Sequence, residues 1–217
     1  MSATLAKEIT YTDDIGMFTI NRPIASSCVH KTSHCEANCY NNKLYKVYKN
    51  MVAKDVRNEQ AWRDNDAKGL KLALKRKRKQ TERVRLMSRG EAFSDYSDIK
   101  RVANLAESLS DSLVWIPTRA WRNPLLWELV KGLAAKHDNI RLLASTDPTT
   151  TQDEWEALKA QGVSTMFFGD DQLLTSPNGD RMFKCPKTHK GLKGHCSICK
   201  GGCFNAAKRV DVHLKGH

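Results

Sequence analysis

Apolar and polar positions alternate along this chain in two rhythms, one of short β-prone runs and one of helical spacing, and the switches between them outline the fold. Gly16-Met17-Phe18-Thr19-Ile20 reads as a strand that Asn21-Arg22-Pro23 stops. After Tyr40, the residues Leu44, Val47, Tyr48, Met51 and Val52 recur at helical spacing, continuing through Val56 towards Trp62. Lys68 to Arg83 reads as a solvated helix, because Leu70, Leu72 and Leu74 are too sparse to bury a face. Val84 to Met87 is then a strand, Ser97 to Leu109 a helix, and Leu113 to Ile116 a strand ended by Pro117. Asn123-Pro124 starts a helix with a cap residue and a proline at its first position, its apolar side formed by Leu125, Leu126, Leu129, Val130 and Leu133. Ile140 to Ala144 is the next strand. Thr151 and Glu154 form a capping-box pattern for a helix that Gly162 ends before a strand over Val163 to Phe168.

Repeated alternation of strand and helix predicts an α/β fold, either a partial (β/α) barrel or a parallel sheet covered by helices. In both, ligands gather at the C-terminal ends of the strands. That rule selects the segments after Ile20, Ser88-Arg89-Gly90-Glu91, Thr118-Arg119, Ser145-Thr146-Asp147 and Gly169-Asp170-Asp171. Ser176-Pro177-Asn178-Gly179-Asp180 reads as a linker, dividing an α/β domain over 1–176 from a cysteine-rich metal-binding segment over 177–217.

The seven cysteines fall into a set of three and a set of four. Cys28, Cys35 and Cys39 follow the first strand with spacing C-x6-C-x3-C, and Cys185, Cys196, Cys199 and Cys203 follow the linker with spacing C-x10-C-x2-C-x3-C. Four thiolates close the shell of a structural zinc or an iron–sulfur cluster, whereas three on a four-iron cluster leave one iron open. The late set suits either metal: two C-x2-C knuckles would favour zinc, and the C-x2-C-x3-C run with Pro186 after Cys185 is closer to ferredoxin-type ligation. His189 and His195 read as surface residues beside four thiolates, and Tyr40, adjacent to Cys39, is the tyrosine placed to touch a cluster. If His30 or His34 completes the early set, that site is instead a closed zinc centre.

Charge adds a partner class. The formal net charge is +12, with ten basic residues against one acid from Lys68 to Arg89 and nine against one from Arg181 to His217. Such blocks suit phosphate backbones, Lys75, Arg76, Lys77, Arg78 and Lys79 above all, and the bland alternative is a solvated helix face. Met1 to Tyr11 carries Lys7 and Glu8 without an apolar run, and no segment is long and apolar enough to span a membrane, so a soluble, cytoplasmic protein is expected. Closely spaced cysteines in a reducing cytosol are metal ligands more often than disulfides.

A strand, a three-cysteine loop ending in an aromatic residue, a helix, and a Gly-Glu after the second strand resemble the front half of radical S-adenosylmethionine enzymes. The resemblance implies a four-iron, four-sulfur cluster on Cys28, Cys35 and Cys39 and contact between Gly90-Glu91 and S-adenosylmethionine, Glu91 receiving its ammonium group and Arg119 or Ser145 its carboxylate. The departures are the longer cysteine spacing, where those enzymes carry C-x3-C-x2-C, and Arg89 in place of the first of two glycines. Without the cysteines, Glu91 reads as an acid in the first turn of the following helix. Cys39-Tyr40, Ser88-Arg89-Gly90-Glu91, Pro117-Thr118-Arg119 and Cys203-Phe204 together resemble the phage gene product eighty-eight-like family, also described as radical-S-adenosylmethionine-like. This second resemblance implies a phage protein in the host cytoplasm; with the cysteine sets, the likeness to radical enzymes and the basic blocks, the expectation is an iron–sulfur protein that binds a small molecule at an open cluster and acts on nucleic acid. The rival from another class is a non-catalytic zinc module that binds nucleic acid or a host protein.

Overall fold

The computed structural model describes residues 10–12, 17–76, 83–170, 173–189, 194–196, 198–199, 201–204 and 210–216. In chain order the elements are β1 (Thr10–Thr12), β2 (Met17–Ile20), α1 (Ile24–Ser27), α2 (Ser33–Ala37), α3 (Tyr40–Val47), α4 (Lys49–Arg63), α5 (Ala67–Arg76), β3 (Arg83–Leu86), α6 (Ser97–Ser108), β4 (Leu113–Thr118), α7 (Pro124–Lys136), β5 (Ile140–Thr146), α8 (Gln152–Ala160), β6 (Ser164–Gly169), β7 (Phe183–Lys184) and β8 (Val212–Lys215). Short 3-10 turns occupy Ala120–Arg122 and Gly202–Phe204.

The strands form one sheet in the order β1-β2-β3-β4-β5-β6-β8-β7, with β1 antiparallel to β2 and every other pairing parallel. The seven parallel strands curl into a half-barrel, so the α/β partial-barrel expectation holds. Successive residues of a strand face opposite sides. On β4, Val114 and Ile116 enter the large core beneath α6 and α7, whereas Trp115 joins Met17, Leu143, Met166, Val212 and Phe204 in a smaller cluster on the other face. Strands buried on both faces are what a parallel sheet requires.

The last strand comes from beyond the late cysteines. β8 lies between β6 and β7, and Asp211 fixes its entry by accepting from the Thr165 amide at 2.8 Å and pairing with Lys159, also at 2.8 Å. Among the described residues no helix is long and apolar enough to cross a membrane.

Several local expectations need correction. The helix expected to run from Tyr40 towards Trp62 breaks at Tyr48 (φ −109°, ψ 80°), and the inward face of α4 carries Asp55, Asn58 and Glu59 beside Ala61 and Trp62, while Val56 is exposed. Those buried acids have partners, which explains an inward face that apolar periodicity cannot reveal. Glu59 takes the Arg22 guanidinium through two bonds of 2.6 and 2.9 Å, and Asp55 takes Arg89 through bonds of 2.8 and 2.9 Å. On α7, Leu125 and Leu129 face outward, and Trp127 joins Leu126, Val130 and Leu133 in the core with its indole nitrogen donating to Gln161. β4 continues through Pro117 to Thr118, and Arg83, placed at the end of a helix by the sequence pattern, begins β3. Residues 77–82 lie outside the described residues, so of the run Lys75–Lys79 only Lys75 and Arg76 are placed, at the end of α5.

Candidate functional site

Between β2 and α4 the chain turns through three short helices, and each of the early cysteines sits at a different point of that path. Cys28 caps the C-terminus of α1, its N–H donating to Ile24; Cys35 lies within α2; Cys39 is the residue before α3. Thr32 caps α2, its hydroxyl accepting the Cys35 N–H at 3.0 Å while donating to Asp147 at 2.6 Å. Tyr40 donates its hydroxyl to the Ser88 carbonyl at 2.8 Å, tying the start of α3 to the end of β3.

All three cysteines line a cavity of about 160 Å³ at the C-terminal ends of the strands, together with Tyr40, Gly90, Glu91, Arg119 and Ser145. Four of the five strand ends selected from the sequence pattern thus contribute to one cavity, whereas Asp170 of the fifth lines a separate groove and Asp171 lies outside the described residues. Arg85 and the apolar side chains of Met166, Phe168 and Leu214 also line it; His30 and His34 are not among its lining residues. Burial, then the charges of Glu91, Cys35 and Cys39, push the Cys28 thiol up to about 12. Burial also raises the Cys35 thiol, although the Arg119 guanidinium beside it acts to lower it.

Gly90 and Glu91 are held by the chain's own polar groups. Gly90 has φ +85°, and a Cβ there would stand 2.6 Å from both the Arg22 carbonyl and the Ser27 hydroxyl, so only glycine fits. The buried Glu91 carboxylate accepts at Oε1 from the Ala92 and Phe93 amides and the Thr118 hydroxyl, and at Oε2 from the Arg119 amide. Oε2, with one donor, is the oxygen that retains acceptor capacity. Arg119 in turn pairs with Asp147 at 2.7 Å. Asp147 sits below the usual carboxylate range: burial acts to raise it, and Arg119 with bonds from Thr149 and Thr32 overcomes that effect.

The late cysteines gather against the Trp115 face of the sheet. Cys185, Cys196 and Cys203 pack on the cluster that contains Trp115 and Phe204. Arg83 donates to the carbonyls of Cys196 and Cys199, and the Cys199 sulfur accepts from the Gly201 amide at 3.3 Å. Burial, then the neighbouring thiols, push Cys203 up to about 12, and burial with Cys185 pushes Cys196 up to about 11; Arg85 opposes both shifts.

Among the described residues, no three His, Cys, Asp or Glu side chains converge closely enough to hold one metal ion. The donor types are nevertheless those that hold a sulfur-bound group, with three thiols around a cavity and four half-buried late thiols, three of which pack against the sheet. Thr32, Asp147 and Arg85 are site residues that motif spacing does not single out. Their available signals are the strand-end position of Asp147 and an arginine set between Val84 and Leu86 in a buried strand.

A family model described as Gene product 88 matches residues 2–211. The chain belongs to the Gene product 88 family, a family of phage gene products. No curated protein and no solved structure matches it. The Gene product 88 match spans both cysteine sets.

Proposed function

We propose that this Gene product 88 protein is an iron–sulfur protein that binds S-adenosylmethionine, or a closely similar small molecule, at the strand ends. The observation that carries this reading is the meeting of Cys28, Cys35 and Cys39 with Gly90, Glu91, Arg119 and Ser145 around one cavity. A four-iron cluster on three thiolates keeps one iron for a ligand and supplies one-electron chemistry when bound. The chain's own part is to bind and orient. Glu91 Oε2 accepts the ligand's ammonium group, Ser145 and Arg119 receive its carboxylate, and Met166, Phe168 and Leu214 exclude water from the inner wall. Asp147 already holds Arg119 in place, so the guanidinium is oriented before a ligand arrives.

The test is anaerobic reconstitution with iron and sulfide, followed by metal analysis, visible absorption and S-adenosylmethionine titration of the cluster's spin-resonance signal. A brown protein whose signal shifts on titration supports the proposal. A colourless, air-stable protein with stoichiometric zinc overturns it.

Two observations favour a second reading, a zinc module that binds nucleic acid. His30 Nε2 is buried and has no hydrogen-bond partner among the described residues, so this imidazole is available as a fourth zinc ligand if its ring turns towards the cysteine cavity, which it does not line here. Arg181, Lys184, His189 and Lys215 line an open groove of about 450 Å³ with Asp170 as its acid, a charge balance that suits phosphate. Zinc content abolished by His30→Ala, with salt-sensitive DNA binding, would favour this reading over the first.

A further inference from the structure

Arg83 and Arg85 of β3 point to the same side of the sheet as Trp115 of β4, because Val84 and Leu86 occupy the opposite, helix-covered side. The Arg85 guanidinium carbon lies 4.7 Å from the centre of the Trp115 ring. Among the described residues, neither Arg85 Nε nor the indole Nε1 of Trp115, a residue 5% exposed, has a hydrogen-bond partner, although both atoms are buried. Both groups can only donate. Two unanswered donors in a buried layer are costly unless an acceptor faces them.

The charges around the cavity point the same way. Lys31 pairs with Glu36 at 2.6 Å and Arg119 with Asp147 at 2.7 Å, whereas no carboxylate among the described residues pairs with Arg85. The cluster around Trp115 is apolar, and the polarisable groups packed against it are thiols. Cys185, Cys196 and Cys203 pack on the cluster containing Trp115, and Phe204, next to Cys203, meets the Trp115 ring edge-on at 5.6 Å. Arg83 donates to the Cys196 and Cys199 carbonyls and lies 4.9 Å from the Phe204 ring.

We infer that Arg85 and Trp115 are positioning residues of the late metal site, their N–H groups donating to its thiolate sulfurs while Arg83 and Arg85 offset its negative charge. The inference rests on the reading of Cys185, Cys196, Cys199 and Cys203 as metal ligands. Four thiolates on a divalent ion carry a net charge of about −2, which two arginines match. Arg85 also lines the cavity beside Cys28, Cys35 and Cys39, so one cation faces both cysteine sites.

The experiment is a cobalt(II) titration of the full chain, read through thiolate-to-cobalt absorption and zinc competition, with Cys199→Ser identifying the part due to the late site. Arg85→Gln is expected to lower the late site's affinity about tenfold and shift its absorption, since partners that hold metal ligands in place contribute on that scale. Trp115→Phe, which keeps an aromatic ring but removes the indole N–H, should lower affinity in the same direction, and Arg85→Lys should restore part of the loss in Arg85→Gln. Native affinity and absorption in both Arg85→Gln and Trp115→Phe overturn the inference alone. An absence of cobalt or zinc binding that Cys199→Ser can remove overturns the metal reading and the inference together. If Arg85→Gln does not fold, Trp115→Phe decides.

Discussion

Thr32 and Asp147, 115 positions apart, are joined by a 2.6 Å hydrogen bond that docks the cysteine loop on the end of β5. The same carboxylate pairs with Arg119, so one buried acid holds both the loop and the guanidinium that lines the cavity. Its carboxyl is lowered, burial being outweighed by Arg119, Thr149 and Thr32. A lowered value in the folded chain means that the stabilisation is fully present above the unfolded value of about 3.9 and is lost as pH falls through the folded one. Asp147→Asn should therefore cost about 3 kcal/mol at neutral pH, the scale of breaking a buried ion pair. Urea denaturation from pH 7 to pH 2 checks this: the gap between native chain and variant should narrow only below about pH 4.

Gly90→Ala tests the close approach at the strand end. Its Cβ would meet the Arg22 carbonyl and the Ser27 hydroxyl at 2.6 Å, at φ +85°. A loss of about 2 kcal/mol or more is expected, from left-handed strain plus displacement of β2's exit. Thermal unfolding measures it, and a Tm equal to that of the native chain would mean the turn relaxes freely.

Glu91 separates binding from folding only through the right substitution. Glu91→Ala leaves three amides and the Thr118 hydroxyl without their acceptor, each at a cost of about 1–3 kcal/mol, so it should fail by unfolding. Glu91→Gln keeps one acceptor oxygen and removes the charge. Equilibrium dialysis is expected to show at least about tenfold weaker S-adenosylmethionine binding with iron content retained, in line with loss of a charge-assisted bond. Unchanged affinity would remove Glu91 from the ligand site.

If the late cysteines hold a metal, Cys199→Ser is expected to lower metal content and to expose the chain after Lys184 to protease, because ligation would then add to the packing of this segment on the Trp115 cluster. Metal analysis and limited proteolysis report the two effects separately. Native behaviour in both would leave the four cysteines as packing residues.

If the chain binds nucleic acid, two basic blocks compete as the contact. Neutralising Arg181, Lys184 and Lys215 should reduce the salt slope of duplex DNA binding by up to about 3, at roughly 0.9 per phosphate contact, and neutralising Lys75–Lys79 by several units if that run is the contact. The variant whose slope flattens identifies the block. A slope unchanged in both, or no binding at low salt, removes the nucleic-acid partner.

The parallel α/β architecture was legible because strand and helix periodicities differ, and the strand-end rule led to Gly90, Glu91, Arg119 and Ser145, which do share a cavity. What stayed hidden was pairing between polar groups. Asp55, Asn58 and Glu59 turn inward on α4, two of them towards arginines at the strand ends, an arrangement that apolar periodicity does not signal. The exposed Leu125 and Leu129 are the converse case: a helix apolar on several sides does not say which side packs, and the choice fell to Trp127. β7 and β8 escaped for want of length, the latter reading Val-His-Leu-Lys with two apolar residues in four.

The order β6-β8-β7 also has a temporal side. During synthesis both β6 and β7 leave the ribosome before the strand that lies between them, so each waits with an open edge for Val212–Lys215 to arrive. The four late thiols emerge within that interval, after β7 begins and before β8. A nascent chain paused there would present unpaired backbone and free cysteines together, and insertion of one four-residue strand would close the sheet edge and seat the cysteine segment in a single act.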